Sequence, residues 1–459
     1  MNYSEKISIS IEAIKGENSM DDFWSWYNTR LAKNAFDITE IPLRDVSNWN
    51  YNDESVSHSS GKFFKVYGIE VETDFYGKRK WDQPIISQPE IGILGFIVRE
   101  IKGILHFLVQ AKMEPGNINI LQISPSVQAT KSNYTRVHGG NSTPFIENFL
   151  FKKDESVVYD QLQSEQGSRF LKKRNRNMIL DLTNVDFPDS IPDDFFWLTL
   201  GQLKALLNVD NIINMDSRTV LSGLPNYTVG NTSYKKNIYS DSLRADDEKS
   251  FRPLSYLFSW IANLKSNFEI KANLKPLIEM KGWVTSDEKI SSSGDRCFDV
   301  IGVKIGASNR EVKSWSQPIL ASKHVLLNGI VMQKLGGVPH LLFQAAFEPG
   351  NFDGVELAPT VQSSLLEFDH DPSNPNLSFA GYFDKDFSDK EVLYDSLQSE
   401  EGGRFYHDQN RYSIIHLKEN TIDKIPENYM WITLNQAKKL ILINNIFNVE
   451  SRSLLSCMI

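Results

Sequence analysis

Cysteine is nearly missing from this 459-residue chain, with only Cys297 and Cys457 present. Two thiols build neither a disulfide framework nor a zinc knuckle. No apolar run reaches the roughly 18 residues that a membrane-spanning helix needs. The opening residues, Met1 to Lys6, have no apolar stretch of signal-peptide length. Positive charge is in deficit: 49 Lys and Arg stand against 58 Asp and Glu, a net charge of −9. That removes the basic footprint of a nucleic-acid binder. A Gly-x-Gly-x-x-Gly fingerprint is missing too, which disfavours a dinucleotide-binding fold. No lysine sits in a recognisable pyridoxal-phosphate setting. With 41% hydrophobic and 23% charged residues, the remainder is ordinary globular composition. The chain is expected to be soluble and cytoplasmic, with about two to three domains.

What is present is present twice. Ser25-Trp26 returns as Ser259-Trp260, an offset of 234 residues. The same offset links Trp49 to Trp283 and Phe64-x-Val66-x-Gly68 to Phe298-x-Val300-x-Gly302. It also links Trp81-x-Gln83-Pro84 to Trp315-x-Gln317-Pro318, and Glu114-Pro115-Gly116-Asn117 to Glu348-Pro349-Gly350-Asn351. One residue is then added in the second copy, pairing Leu162-Gln163-Ser164-Glu165 with Leu397-Gln398-Ser399-Glu400 and Arg169-Phe170 with Arg404-Phe405. The first register returns at Trp197/Trp431 and Ser217-Arg218/Ser451-Arg452. Copies of this length are duplicated domains, not solenoid units. The expected organisation is a first module over 1–225, a connector over 226–250 and a second module over 251–459, related by an internal pseudo-two-fold.

Within a copy the reading is α+β. Residues 63–72, 93–101 and 104–111 are β-branched and aromatic runs of strand length, with turns at Gly103 and Pro115-Gly116. Residues 160–176 are mostly helix formers and are expected to be helical, with Asp160 as a candidate N-cap. Thr199-x-x-Gln202 is a capping box opening an amphipathic helix, and Thr433-x-x-Gln436 repeats it.

The copies also serve as a comparison. Glu114 is either part of a plain turn or a site residue inherited by both. Arg169, Lys172, Lys173, Arg174 and Arg176 crowd cations into an acidic protein, either as a solvated face or as an anion clamp. Arg404 and Arg411 survive in the second copy. The segment 131–140 differs most. If it is extended, Tyr134, Arg136 and His138 fall on one side, and the second copy has no such trio. An ordinary polar hairpin is the competing reading.

Residues 108–117, 124–130, 133–140, 160–170 and 214–222 together resemble the nucleotide-hexose 2,3-dehydratase family of deoxysugar biosynthesis. The resemblance spans nearly the whole chain. It implies a dTDP-4-keto-6-deoxyglucose type of substrate, a Nudix-like fold for each module, a homodimer and no metal or organic cofactor. The candidate helix carries only Glu165 among its carboxylates, too few for the several that a hydrolytic Nudix site places on one helix.

The implied reaction needs one base for the C3 proton, donors for the enolate at O4 and an acid for the C2 hydroxyl. His138 is the expected base, with Tyr134 as acid, Arg136 as enolate or phosphate partner and Glu165 as reserve base. Expected substrate contacts are Trp81, Glu114, Asn117, Asn133, Arg169, Arg176, Arg218, Trp315, Arg404 and Arg411, with a nucleotide in each copy. The 3,4-diketo product would be captured by a 3-ketoreductase or an aminotransferase. The alternative is a non-catalytic nucleotide-sugar binder on the same duplicated fold.

Overall fold

The long apolar runs become central strands covered on both faces. The structure is a computed structural model and describes residues 2–75, 77–131, 143–188, 190–226, 238–294, 298–308, 312–366 and 378–459. In the first copy a seven-stranded mixed sheet runs Val157–Ser164, Arg174–Asp181, Gly92–Ile101, Ile104–Met113, Phe195–Thr199. Leu121–Pro125 and Val127–Ala129 add to its middle. Arg174–Asp181 lies parallel to Gly92–Ile101, and its other neighbour is antiparallel. The second copy repeats this with Leu327–Leu335 and Gln409–Leu417 as the parallel pair. Lys102 and Gly103 both take positive φ, at 53° and 81°, closing the hairpin expected there. Thr199 and Thr433 form the two capping boxes. Among the described residues no helix is long and apolar enough to cross a membrane.

Residues 160–176 are not a helix. Val157–Ser164 and Arg174–Asp181 are adjacent antiparallel strands joined by a tight turn, in which Phe170 N donates to Gln166 O at 2.8 Å and Lys172 takes a φ of 49°. Strand pairing and contacts with the other copy outweigh the local helix preference. Asp160 therefore caps nothing; it receives a bidentate bond from Arg176 at 2.6 Å on both oxygens. The expectation of a carboxylate-bearing helix at Glu165 is likewise corrected. The stretch expected as a connector contains a helix, Ile238–Arg244, that packs on the second copy's sheet as Tyr3–Glu12 packs on the first.

The copies are interleaved. Phe36–Ile41 leaves the first copy to pair antiparallel with Phe298–Ala307 of the second. Ile270–Lys275 makes the reciprocal pairing with Lys65–Thr73. A Cβ on Gly68 would stand 2.8 Å from Lys275 O, and one on Gly302 would stand 2.7 Å from Ile41 O. The repeated Phe-x-Val-x-Gly string is thus the seat of the exchanged strand.

Other repeated strings hold the same interface. Arg218, fully buried, donates to Ile213 O at 2.7 Å within its own copy and to Ser399 O at 2.7 Å across the interface. Arg452 reciprocates toward Ser164 O and Thr219 Oγ1. Gln163 donates to Ile441 O, and Gln398 donates to Leu207 O. One hydrophobic core contains Phe96, Phe107 and Leu221 together with Met332, Phe343 and Leu454.

Gly116 N donates to Gly402 O at 2.7 Å, and a Cβ there would lie 1.5 Å from Phe405 O. Gly116→Ala should therefore lower stability by about 3 kcal/mol or more, since backbone cannot step aside as a side chain does. Gly306→Ala, whose Cβ would have no heavy-atom neighbour nearer than 4.0 Å, is the control and should leave the urea midpoint nearly unchanged. Equal midpoints for both variants would contradict the close-approach argument.

Candidate active site

A cavity of about 1150 Å³ opens between the copies. Its inner wall belongs to the first copy's large sheet. Lys112 is the penultimate residue of one strand and Glu114 follows that strand; Gln128 comes from the short added strand; Glu165 and Asn175 stand at the facing ends of an antiparallel pair. Asp216 opens the helix Met215–Leu221. The outer wall mixes both small sheets, with Trp49, His58 and Phe64 from the first copy and Lys304 and Trp315 from the second. The second copy also sends in the turn bearing Glu401, Gly403 and Arg404.

A polar chain holds the inner wall. Asn214 donates to Gln128 Oε1 at 3.0 Å, and Gln128 donates to Glu114 Oε1 at 3.1 Å. Gly92 N donates to Asn175 Oδ1 at 3.0 Å, so that Asn175 Nδ2 is aimed at Glu165 Oε1, 2.6 Å away. Glu165 Oε2 is sealed from solvent without a hydrogen-bond partner among the described residues, and so is Glu401 Oε2. Arg404 lies 4.2 Å over the Phe64 ring and donates twice to Gln88 Oε1 at 3.2 Å. Lys173 donates to the Glu90 carbonyl.

Glu114, Glu165, Asp216 and Glu401 lie within one another's fields here, and ionising one opposes ionising the next. Burial, against Arg452 and Lys173, pushes Glu165 up. Burial followed by the fields of Glu165, Glu401 and Glu114 holds Asp216 well above the usual carboxylate range. Glu401 is pushed up to about 7 by burial, with Arg404 opposing and Glu114 and Glu165 adding to the rise. Burial lowers Lys173, against Glu165.

The two-fold partner of this cavity is filled, with about 20 Å³ left. There Glu400 Oε1 accepts from Asn410 at 2.7 Å and from Tyr412 at 2.8 Å, and its Oε2 accepts from Gln166 at 3.0 Å. Asn177 stands in the first copy where Tyr412 stands in the second. Ala346 and Asp408 replace Lys112 and Lys173. Two equivalent nucleotide sites were expected; among the described residues the first copy's cavity is of nucleotide-sugar size and its two-fold counterpart is closed.

Of the expected site residues, Glu165, Glu114, Trp315 and Arg404 line the large cavity. Tyr134, Arg136, His138 and Asn133 lie outside the described residues, although Thr130 and Thr143, on either side of them in sequence, both line it. The other expected residues do not line it. Trp81 packs against Phe347 and donates its indole N–H to Gln83 at 2.9 Å. Asn117 is buried, donating to Ile120 O at 3.0 Å. Arg169 lies 4.2 Å over Phe298 beside the closed site. Arg218 is committed to backbone carbonyls. Arg176 and Arg411 form strand-to-strand ion pairs with Asp160 and Asp395. Lys112, Asp216 and Glu401 escaped the sequence reading. The signal for Lys112 and Glu401 was difference between the copies, Lys112 against Ala346 and Gln166 against Glu401, where the reading had favoured identity.

A family model described as NDP-hexose 2,3-dehydratase matches residues 20–224 and again 254–458. A Saccharopolyspora spinosa protein named dTDP-4-dehydro-6-deoxy-alpha-D-glucopyranose 2,3-dehydratase is 39% identical over 98% of this chain and 93% of its own. Proteins of the same name from Amycolatopsis orientalis and Streptomyces violaceoruber are 39% and 41% identical, covering 99% and 95% of this chain and 93% and 96% of theirs.

The raised Glu401 carboxyl has a consequence for stability. Below its ordinary pKa of 4.5 the group is neutral folded or unfolded; above about 7 it is ionised in both states and the fold carries the penalty. Glu401→Gln removes that penalty, so the variant's advantage in urea unfolding should be roughly 2 kcal/mol larger at pH 8 than at pH 5.5. An advantage that does not grow with pH would show that Glu401 is not the group whose ionisation is suppressed.

Proposed function

The chain belongs to the NDP-hexose 2,3-dehydratase family and is a sugar-nucleotide 2,3-dehydratase, and from that premise we propose how its cavity works. The substrate in this reading is dTDP-4-keto-6-deoxyglucose, the compound named for all three relatives. The observation that carries the site assignment is the unpartnered Glu165 Oε2, buried in the cavity wall. Its two-fold counterpart, Glu400, has both oxygens occupied. The same residue is quenched in one copy and left with an open lone pair in the other.

Glu165 is the base that removes the C3 proton, which the C4 ketone acidifies. Asn175 fixes the carboxylate through Oε1 and leaves Oε2 for the proton. Lys112 and Lys173 supply positive charge for the enolate that forms at O4. Arg404, a planar donor held by Gln88 and Phe64, suits the diphosphate. Trp49 and Trp315 offer aromatic surface for the base. Loss of the C2 hydroxyl gives a 3-hydroxy-2,3-enone, which tautomerises to the 2-deoxy-3,4-diketo sugar. That reactive product calls for capture by a ketoreductase or an aminotransferase. A Nudix-like ancestry for each module, supported by the mixed sheet with its parallel central pair, and a homodimer complete the reading.

Purified protein incubated with dTDP-4-keto-6-deoxyglucose and a competent 3-ketoreductase should yield a 2-deoxy sugar nucleotide. Glu165→Gln should lower turnover by roughly 10²–10⁴ with little change in nucleotide-sugar affinity. It should also abolish exchange of the C3 hydrogen with deuterated solvent. His138→Ala, assayed beside it, tests the other base. Exchange lost in His138→Ala and kept in Glu165→Gln would move the role to His138.

A further inference from the structure

We propose that Glu401, contributed by the second copy, is the general acid that protonates the departing C2 hydroxyl in the first copy's cavity. The proposal rests on the 2,3-dehydratase reading above. Its first support is position. Glu401 lines the cavity on a turn from the opposite copy, and its Oε2 is sealed from solvent without a hydrogen-bond partner among the described residues. A Cβ on Gly403 would stand 2.7 Å from Glu401 Oε1 and 3.6 Å from Glu114 Oε1, so this glycine lets the two carboxyl groups approach each other.

The second support is the internal comparison. At the closed site the corresponding residue is Gln166, whose Nε2 donates to Glu400 at 3.0 Å and toward Glu450 Oε1 at 3.4 Å. An amide is a permanent donor and suits a position facing carboxylates. Where the cavity is open the chain instead has a carboxyl among carboxyls. That choice is poor for the fold and useful for chemistry, because a carboxylic acid can donate its proton outright and an amide cannot.

The charged groups facing Glu401 are Arg404 on its own turn, Lys112 and Glu114 at one strand end, Glu165 and Lys173 beside another, and Asp216 on the helix. Burial, with Glu114 and Glu165 adding to it, outweighs Arg404 and Lys112 and favours retention of a proton near neutrality. A general acid is most effective when its pKa lies near the working pH.

The step balances without a further reactant. Glu165 takes the C3 proton, and the C–H pair becomes the enolate. That pair then forms C2=C3 as the C2–O bond breaks, and the leaving oxygen takes the proton of Glu401 and departs as water. Glu401 is left as carboxylate and Glu165 as acid. Solvent returns one proton to the first and removes one from the second.

The test separates exchange from elimination. Glu401→Gln should keep exchange of the C3 hydrogen with deuterated solvent while elimination falls roughly 10²–10⁴-fold. The wild-type rate should fall as pH rises past neutrality, and the Gln variant should lack that limb. Glu401→Asp should recover part of the elimination with the limb displaced, and thermal unfolding of both variants checks that they are folded. Wild-type elimination in Glu401→Gln would overturn the proposal. So would loss of exchange together with elimination, which would make Glu401 part of proton abstraction. Exchange persisting in Glu165→Gln would sink the base assignment alone and leave the Glu401 result readable.

Discussion

Two buried arginines, each donating to the backbone of the other copy, are the constraint on which this molecule is built. Arg218 reaches Ser399 O and Arg452 reaches Ser164 O, both from sites almost closed to solvent. A guanidinium removed from water must find acceptors for its donors, and losing them would leave an uncompensated buried charge. The serine carbonyls therefore have to arrive at a fixed place, which fixes the strands that carry them and the glutamates that follow. Glu165 and Glu400 are held at the interface by this arrangement.

Much of the fold was legible because duplication writes each rule twice. The capping boxes at Thr199 and Thr433, the hairpin at Gly103 and the strand runs on either side of it follow from local chemistry. The run from Asp160 to Arg176 did not, since its strand state depends on partners far away in sequence, among them Asn444, which accepts from Leu162 N. The repeated polar strings looked like ligand contacts because they are polar and shared. Their work is to join two copies by a two-fold, and any contact across such an axis is needed once in each copy. Identity between the copies thus mostly marked the interface, Glu165 and Arg404 being shared as well, whereas difference picked out Lys112, Lys173 and Glu401 in the open cavity.

The asymmetry of the two cavities shows how little change separates them. Gln166 and Tyr412 quench one glutamate, and Glu401 and Asn177 leave its counterpart open. Lys112 and Lys173 then add charge that Ala346 and Asp408 do not. The open cavity holds more uncompensated carboxyl groups than folding alone would favour, the usual tension between stability and function. The closed one can serve as scaffold, delivering Glu401 and Arg404 to its neighbour.

The strand exchange has a consequence for biosynthesis. Phe36–Ile41 has its partner at Phe298–Ala307, so the early strand remains an open edge until roughly 260 further residues have left the ribosome. The reciprocal strand Ile270–Lys275 likewise emerges only about 200 residues after the sheet it completes. The first half of the chain cannot finish folding alone, and a transcript cut near its midpoint would give a product with unpaired strand edges, prone to aggregate. Duplication here produced a single folding unit of double length, whose two halves can no longer be inherited apart.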